Sequence, residues 1–119
     1  MATLAFQLRN DPGLWYIDDI SVSNGTTEML VNEGFESGSF SPGWTTSTPN
    51  GSCASGSTAP QVVNSSCNTG SYCLIDGCYS RVDQVSQSFM VTTGQAYFIT
   101  FWLKNTGSGS GISVSVTLF

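Results

Sequence analysis

Residues 95–119 read Gln95-Ala-Tyr-Phe-Ile-Thr-Phe-Trp-Leu-Lys-Asn-Thr-Gly-Ser-Gly-Ser-Gly-Ile-Ser-Val-Ser-Val-Thr-Leu-Phe119. Two runs alternate with period two around a Gly/Ser break, which is the pattern of paired strands. The first run puts Tyr97, Ile99, Phe101 and Leu103 on one face and Phe98, Thr100, Trp102 and Lys104 on the other. The second sends Ile112, Val114, Val116 and Leu118 inward and Ser113, Ser115 and Thr117 outward. Asn105–Gly111 supplies the turn.

Working toward the N-terminus, the same alternation recurs, and no window carries a helical period. Strands are predicted at Thr3–Arg9, Leu14–Val22, Met29–Phe35, Gln61–Asn64, Ser71–Asp76 and Val82–Val91. Asn10-Asp-Pro-Gly13, Asn24-Gly25 and Asp76-Gly77 are the turns between them, and 46–60 is expected to be a polar, irregular loop. About eight strands with turn punctuation predict a single all-β domain over 1–119, an antiparallel β-sandwich.

Composition excludes several function classes. The chain has 119 residues, with 3 basic and 8 acidic side chains and a formal net charge of −5. That balance argues against nucleic acid and against anionic membranes. The longest apolar run, Tyr97–Leu103, is far short of the roughly 20 residues of a membrane span. No basic segment followed by an apolar stretch succeeds Met1, so no signal peptide is predicted there. Histidine is absent, which removes the Ser-His-Asp triad, the Cys-His pair and imidazole metal ligands.

Cys53, Cys67, Cys73 and Cys78 form an even set without paired C-x-x-C knuckles, so disulfides are expected rather than zinc. Three pairings are open. Asn24-Gly-Thr, Asn50-Gly-Ser and Asn64-Ser-Ser are glycosylation sequons, although a chain with 19 Ser and 13 Thr makes sequons by chance. With the cysteines they predict an oxidising, extracellular setting and a secreted protein.

Three segments carry a resemblance: Phe6–Val22 with its Trp15-Tyr-Ile-Asp-Asp-Ile20 core, Asn32-Glu-Gly-Phe-Glu-Ser-Gly38 with Trp44, and Val85–Phe89 leading to Tyr97–Leu103. Together they resemble the galactose-binding-like jelly-roll family, which includes carbohydrate-binding modules and MAM-type extracellular domains. The resemblance covers about two thirds of the chain and leaves out the cysteine-bearing middle. It implies a jelly roll, an extracellular setting and no catalysis. It also implies a structural calcium ion, whose carried-over ligands are Asp18, Asp19 and Glu36. A salt bridge to Arg9, or hydrogen bonds to turn amides, would serve Asp18 equally, because strict alternation places it on the side of Leu14, Tyr16, Ile20 and Val22.

The order of the motifs departs from the family, since the last-strand motif (14–22) precedes the first-strand motif (32–38). The chain is thus a circular permutant or a repeat cut across two neighbours. Either residues 14–22 fold back onto 29–35 through the Asn24-Gly25 turn, or residues 1–22 complete a neighbouring molecule; a head-to-tail contact of the second kind builds a filament.

For a glycan ligand the aromatic platforms are Trp102, on the strand face away from the core, and Tyr79 in a loop. Trp44 is read as buried and Trp15 as packed under the Asp11-Pro12 turn, and Glu33, Asp76 and Asp83 as solvated loop or turn residues. Asp18 and Asp19 point to opposite faces of one strand and cannot flank a glycosidic bond, so no enzyme is predicted. The expected function is a non-catalytic extracellular structural or adhesive module that self-associates. The alternative is a carbohydrate-binding module.

Overall fold

The structure is a computed structural model covering residues 1–119. It contains eight strands and no helix: β1 (Ala2–Asp11), β2 (Trp15–Ser23), β3 (Thr45–Ser47), β4 (Thr58–Val63), β5 (Cys73–Gly77), β6 (Asp83–Phe89), β7 (Phe98–Asn105) and β8 (Gly111–Leu118). Two four-stranded antiparallel sheets, ordered β3-β6-β1-β8 and β4-β5-β2-β7, make a β-sandwich.

Alternation explains the core. Leu4, Phe6 and Leu8 of β1 and Val85 and Phe89 of β6 face Trp15, Ile17, Ile20 and Val22 of β2 and Leu74 of β5. The Phe6 ring meets Phe101 edge-on at 5.2 Å between centroids. Burying such side chains contributes about 1.5–3 kcal/mol each. Residues 1–22 therefore fill their own sandwich, with β1 central in one sheet and β2 central in the other. Thr3 and Phe119 exchange both backbone hydrogen bonds, at 2.7 and 3.0 Å, which sets the chain ends side by side.

Two local expectations are corrected. Met29–Phe35 is not a strand: Asn32 and Phe35 have positive φ (51° and 60°), and the segment turns across the end of the sandwich. It does fold back on β2, through Met29 N–H to the Val22 carbonyl and Ile20 N–H to the Glu33 carbonyl. Side chains hold it in place: Gln87 accepts from the Val31 amide and donates to the Val31 carbonyl, while Glu28 accepts from the amides of Val22 and Leu30. Phe35 and Trp44 stack in the core at 5.3 Å, and Trp44 Nε1 donates to the Asn32 carbonyl.

The second correction concerns β2. A bulge at Asp18-Asp19, with Asp19 at φ 51°, adds one residue relative to β7. The inward set is thus Trp15, Ile17, Ile20 and Val22. Asp18 leaves the side of Ile20 and Val22 and lies opposite Trp102 in register.

Candidate functional site

Asp18, Asp19 and Glu36 do converge, and the loop between Cys67 and Cys73 is what they converge on. Asp18 Oδ2 accepts from the amides of Asn68 (3.0 Å) and Thr69 (3.1 Å), and its Oδ1 accepts from the Asp19 amide (2.8 Å). Asp19 accepts from Asn68 Nδ2 and Thr69 Oγ1. Glu36 Oε1 and Oε2 accept from the amides of Ser71 (2.7 Å) and Tyr72 (3.1 Å). Gly70 makes this approach feasible: a Cβ there would lie 2.6 Å from the Glu36 carboxylate, and its φ of 64° already favours glycine. The Cys67–Cys73 disulfide closes the loop.

Asp18 is fully buried. Desolvation raises its pKa above the usual carboxylate value, the charge of Asp19 adds to this, and the amides of Thr69, Asp19 and Asn68 partly offset it. A calcium ion needs six to eight oxygens whose lone pairs turn to one point. Here each of the six carboxylate oxygens already faces a proton donor from the protein. That set does not fit calcium; it fits a clamp, in which three anions replace water for a loop rich in unpaired amides. Of the two readings of Asp18, hydrogen bonds to turn amides is the one present, and Arg9 pairs instead with Asp11 at 3.2 Å.

The remaining sequence candidates are dispersed. Trp102 is half-buried on the outer face of its sheet, where Lys104 Nζ lies 5.4 Å from the Tyr16 ring centroid. Tyr79 packs on Gly56, its amide donating to Ser57 Oγ and its carbonyl accepting from the Ala54 amide. Asn50 and Asn64 are exposed, whereas Asn24 Oδ1 caps its own turn by accepting from the amides of Thr26 and Thr27. All four cysteines are paired, Cys53 with Cys78 and Cys67 with Cys73. Two such bridges suit an oxidising environment.

Asp76 and Asp83 are not solvated. Asp76 is 0% exposed and Asp83 3%, because both face inward, Asp76 beside Trp15 in register and Asp83 beside Leu8. Both oxygens of Asp76 and Oδ2 of Asp83 have no well-formed hydrogen bond to any other group, and the two carboxyl groups lie against each other. Asp83 Oδ1 lies 3.3 Å from Cys53 Sγ, a disulfide sulfur with no proton to give. Burial, first, and then the neighbouring Asp83 push the pKa of Asp76 up to about 9; the amides of Gly77 and Cys78 lean toward it and lower it only in part. Continuing the Phe89, Val85 alternation back by two would have placed Asp83 inside.

Comparison of the chain with protein-family models, with curated proteins and with solved structures finds no match.

Proposed function

We propose that this chain is a non-catalytic, extracellular structural module that self-associates along one open side of its sandwich. The observation that carries the reading is the state of β7 and β8. Both are edge strands, each the last member of its sheet, and a short loop joins them. Their inward residues are incompletely covered. Val116 pairs in register with buried Phe6 and Leu118 with buried Leu4, yet they are 37% and 46% exposed. Phe101, which meets Phe6 edge-on, is 36% exposed, and Phe119 next to β8 is 70% exposed. Free strand edges and uncovered apolar side chains on one side supply both halves of a strand-pairing interface. The partner in this reading is a second copy, whose own β7–β8 side offers the same edges; two such sides are self-complementary. Residues 1–22 are not the donor strand, since they are central in their own sheets.

Light scattering coupled to gel filtration tests this. A concentration-dependent dimer is expected, reduced to monomer by Val116→Lys with Leu118→Lys. A monomer at every concentration up to about 1 mM refutes it. The glycan-binding alternative draws support from half-exposed Trp102 near the Tyr16–Lys104 pair on the outer face. It predicts tryptophan quenching by a polysaccharide that is lost in Trp102→Ala.

A further inference from the structure

A sheet edge is a template for another strand unless something blunts it. The edges of this sandwich are β3, β4, β7 and β8. β3 is only 3 residues long. β4 contains Pro60, which has no amide proton, and its register shifts between Thr58 and Gln61. β7 carries exposed Lys104 and runs beside the Asp18-Asp19 bulge of β2. β8 alone has no such device: Gly111–Leu118 holds no charge and no proline, and it pairs with β1 without a register shift.

The direction of its free backbone groups follows from one pair. Thr3 and Phe119 exchange both backbone hydrogen bonds, so the N–H and C=O of Phe119 point at β1. Sidedness alternates along an antiparallel strand. Ser113, Ser115 and Thr117 therefore also turn theirs to β1, whereas Ile112, Val114, Val116 and Leu118 turn theirs to the open edge. The same four residues carry the apolar side chains of the core-facing side, and Val116 and Leu118 remain 37% and 46% exposed.

We propose that β8 pairs antiparallel with β8 of a second copy about a two-fold axis at Ser115, joining two four-stranded sheets into one. This pairing rests on the self-association proposed for the β7–β8 side and narrows it to one edge and one register. Hydrogen-bonded pairs can form only between residues whose amides face the seam, which are Ile112, Val114, Val116 and Leu118 on both copies. Matching these with one another also keeps both apolar faces on the same side of the joined sheet. Centring on Ser115 pairs Ile112 with Leu118 of the second copy and Val114 with its Val116. That register engages every free group of the four, in about eight hydrogen bonds. Centring on Val114 leaves Leu118 without a strand partner, and centring on Val116 leaves Ile112 without one. The net charge of −5 raises no repulsion within the seam, because β8 carries none of it. Phe119, 70% exposed, comes opposite Gly111 of the second copy, where the side-chain space is taken by the Arg9 guanidinium. A ring beside a guanidinium is a favourable neighbour.

Amide hydrogen exchange followed by NMR at rising protein concentration tests this. The amides of Ile112, Val114, Val116 and Leu118 are expected to slow about tenfold at ten times Kd, and those of β7 to stay unchanged. Ser115→Cys is expected to give a disulfide-linked dimer under mild oxidation, because the two Cα atoms meet across the axis at about 4.5 Å. Ser113→Cys is not, since about 13 Å separates it from its own counterpart. Val116→Pro removes a seam amide and none that bonds β1, so it is expected to stay folded and monomeric. A dimer broken by Val116→Lys with Leu118→Lys, but with protection on β7 and no Ser115→Cys cross-link, overturns this register and leaves self-association standing. Equal cross-linking of Ser113→Cys and Ser115→Cys overturns it as well. A monomer at every concentration removes both. Should Val116→Pro fail to fold, the exchange pattern of the wild-type protein decides, because it needs no substitution.

Discussion

Replacing Asp76 by Asn is expected to stabilise the protein at neutral pH, against the usual cost of altering a core residue. In the folded chain Asp76 keeps a proton up to about pH 9, whereas an unconstrained carboxyl loses it near 3.8. Between those values the folded state binds the extra proton, so the contribution of Asp76 to stability is greatest below pH 4, falls as pH rises, and levels off only above about 9. At about 1.4 kcal/mol per unit, the loss between pH 3.8 and 7 is about 4 kcal/mol. Asn is neutral in both states and its Nδ2 can donate to Asp83 as the protonated acid does. The variant should therefore match the wild type near pH 3.5 and exceed it by about 2–4 kcal/mol at pH 7. Raised-pKa Asp18 gives both proteins a slope of the same sign, which cancels in the difference. Urea titrations at pH 3.5, 5, 7 and 8.5, in chelator, provide the measurement. A variant less stable than wild type at pH 7, or a difference that does not change with pH, refutes the reasoning.

The clamp and the disulfides give further expectations. Glu36→Gln leaves the amides of Ser71 and Tyr72 sharing one acceptor oxygen and places an NH₂ against a donor, so urea denaturation should show a loss of about 1–3 kcal/mol. Removing the Cys53–Cys78 bridge, at a separation of 25, should cost about 3.5 kcal/mol by loop entropy, and removing Cys67–Cys73, at a separation of 6, about 2. Denaturation of the paired Cys→Ser variants checks the order, and equal losses would count against the entropic account.

The sheets could be read from alternation wherever one face of a strand is apolar. Thr3–Arg9, Leu14–Val22, Gln95–Lys104 and Ile112–Phe119 correspond to β1, β2, β7 and β8 with ends shifted by a few residues. β3 carried no such signal, because Thr45-Thr46-Ser47 is exposed throughout and held by pairing with β6 alone. Met29–Phe35 misled because its apolar side chains are buried while its backbone is satisfied by Glu28 and Gln87 instead of a ladder. The adjacent Asp18-Asp19 did mark an anomaly, but periodicity alone cannot show that a bulge shifts every later residue of the strand. Asp76 was misplaced because Asp-Gly is a strong turn signal, while here it ends a strand buried on both faces. The grouping of Asp18, Asp19 and Glu36 was expected only from the jelly-roll resemblance; the partners of Asp18 were not legible, since they are backbone amides of a loop some fifty residues away.

The pairing of Thr3 with Phe119 has a mechanical consequence. The beginning of β1 and the finish of β8 lie together in antiparallel register. Tension applied between the two ends of the chain therefore pulls adjacent strands apart sideways, loading their bonds in succession rather than all at once. The domain is built to unzip at low force along that seam, and any tether entering at one end leaves from the same corner, so that the sandwich hangs beside the line of tension instead of lying within it.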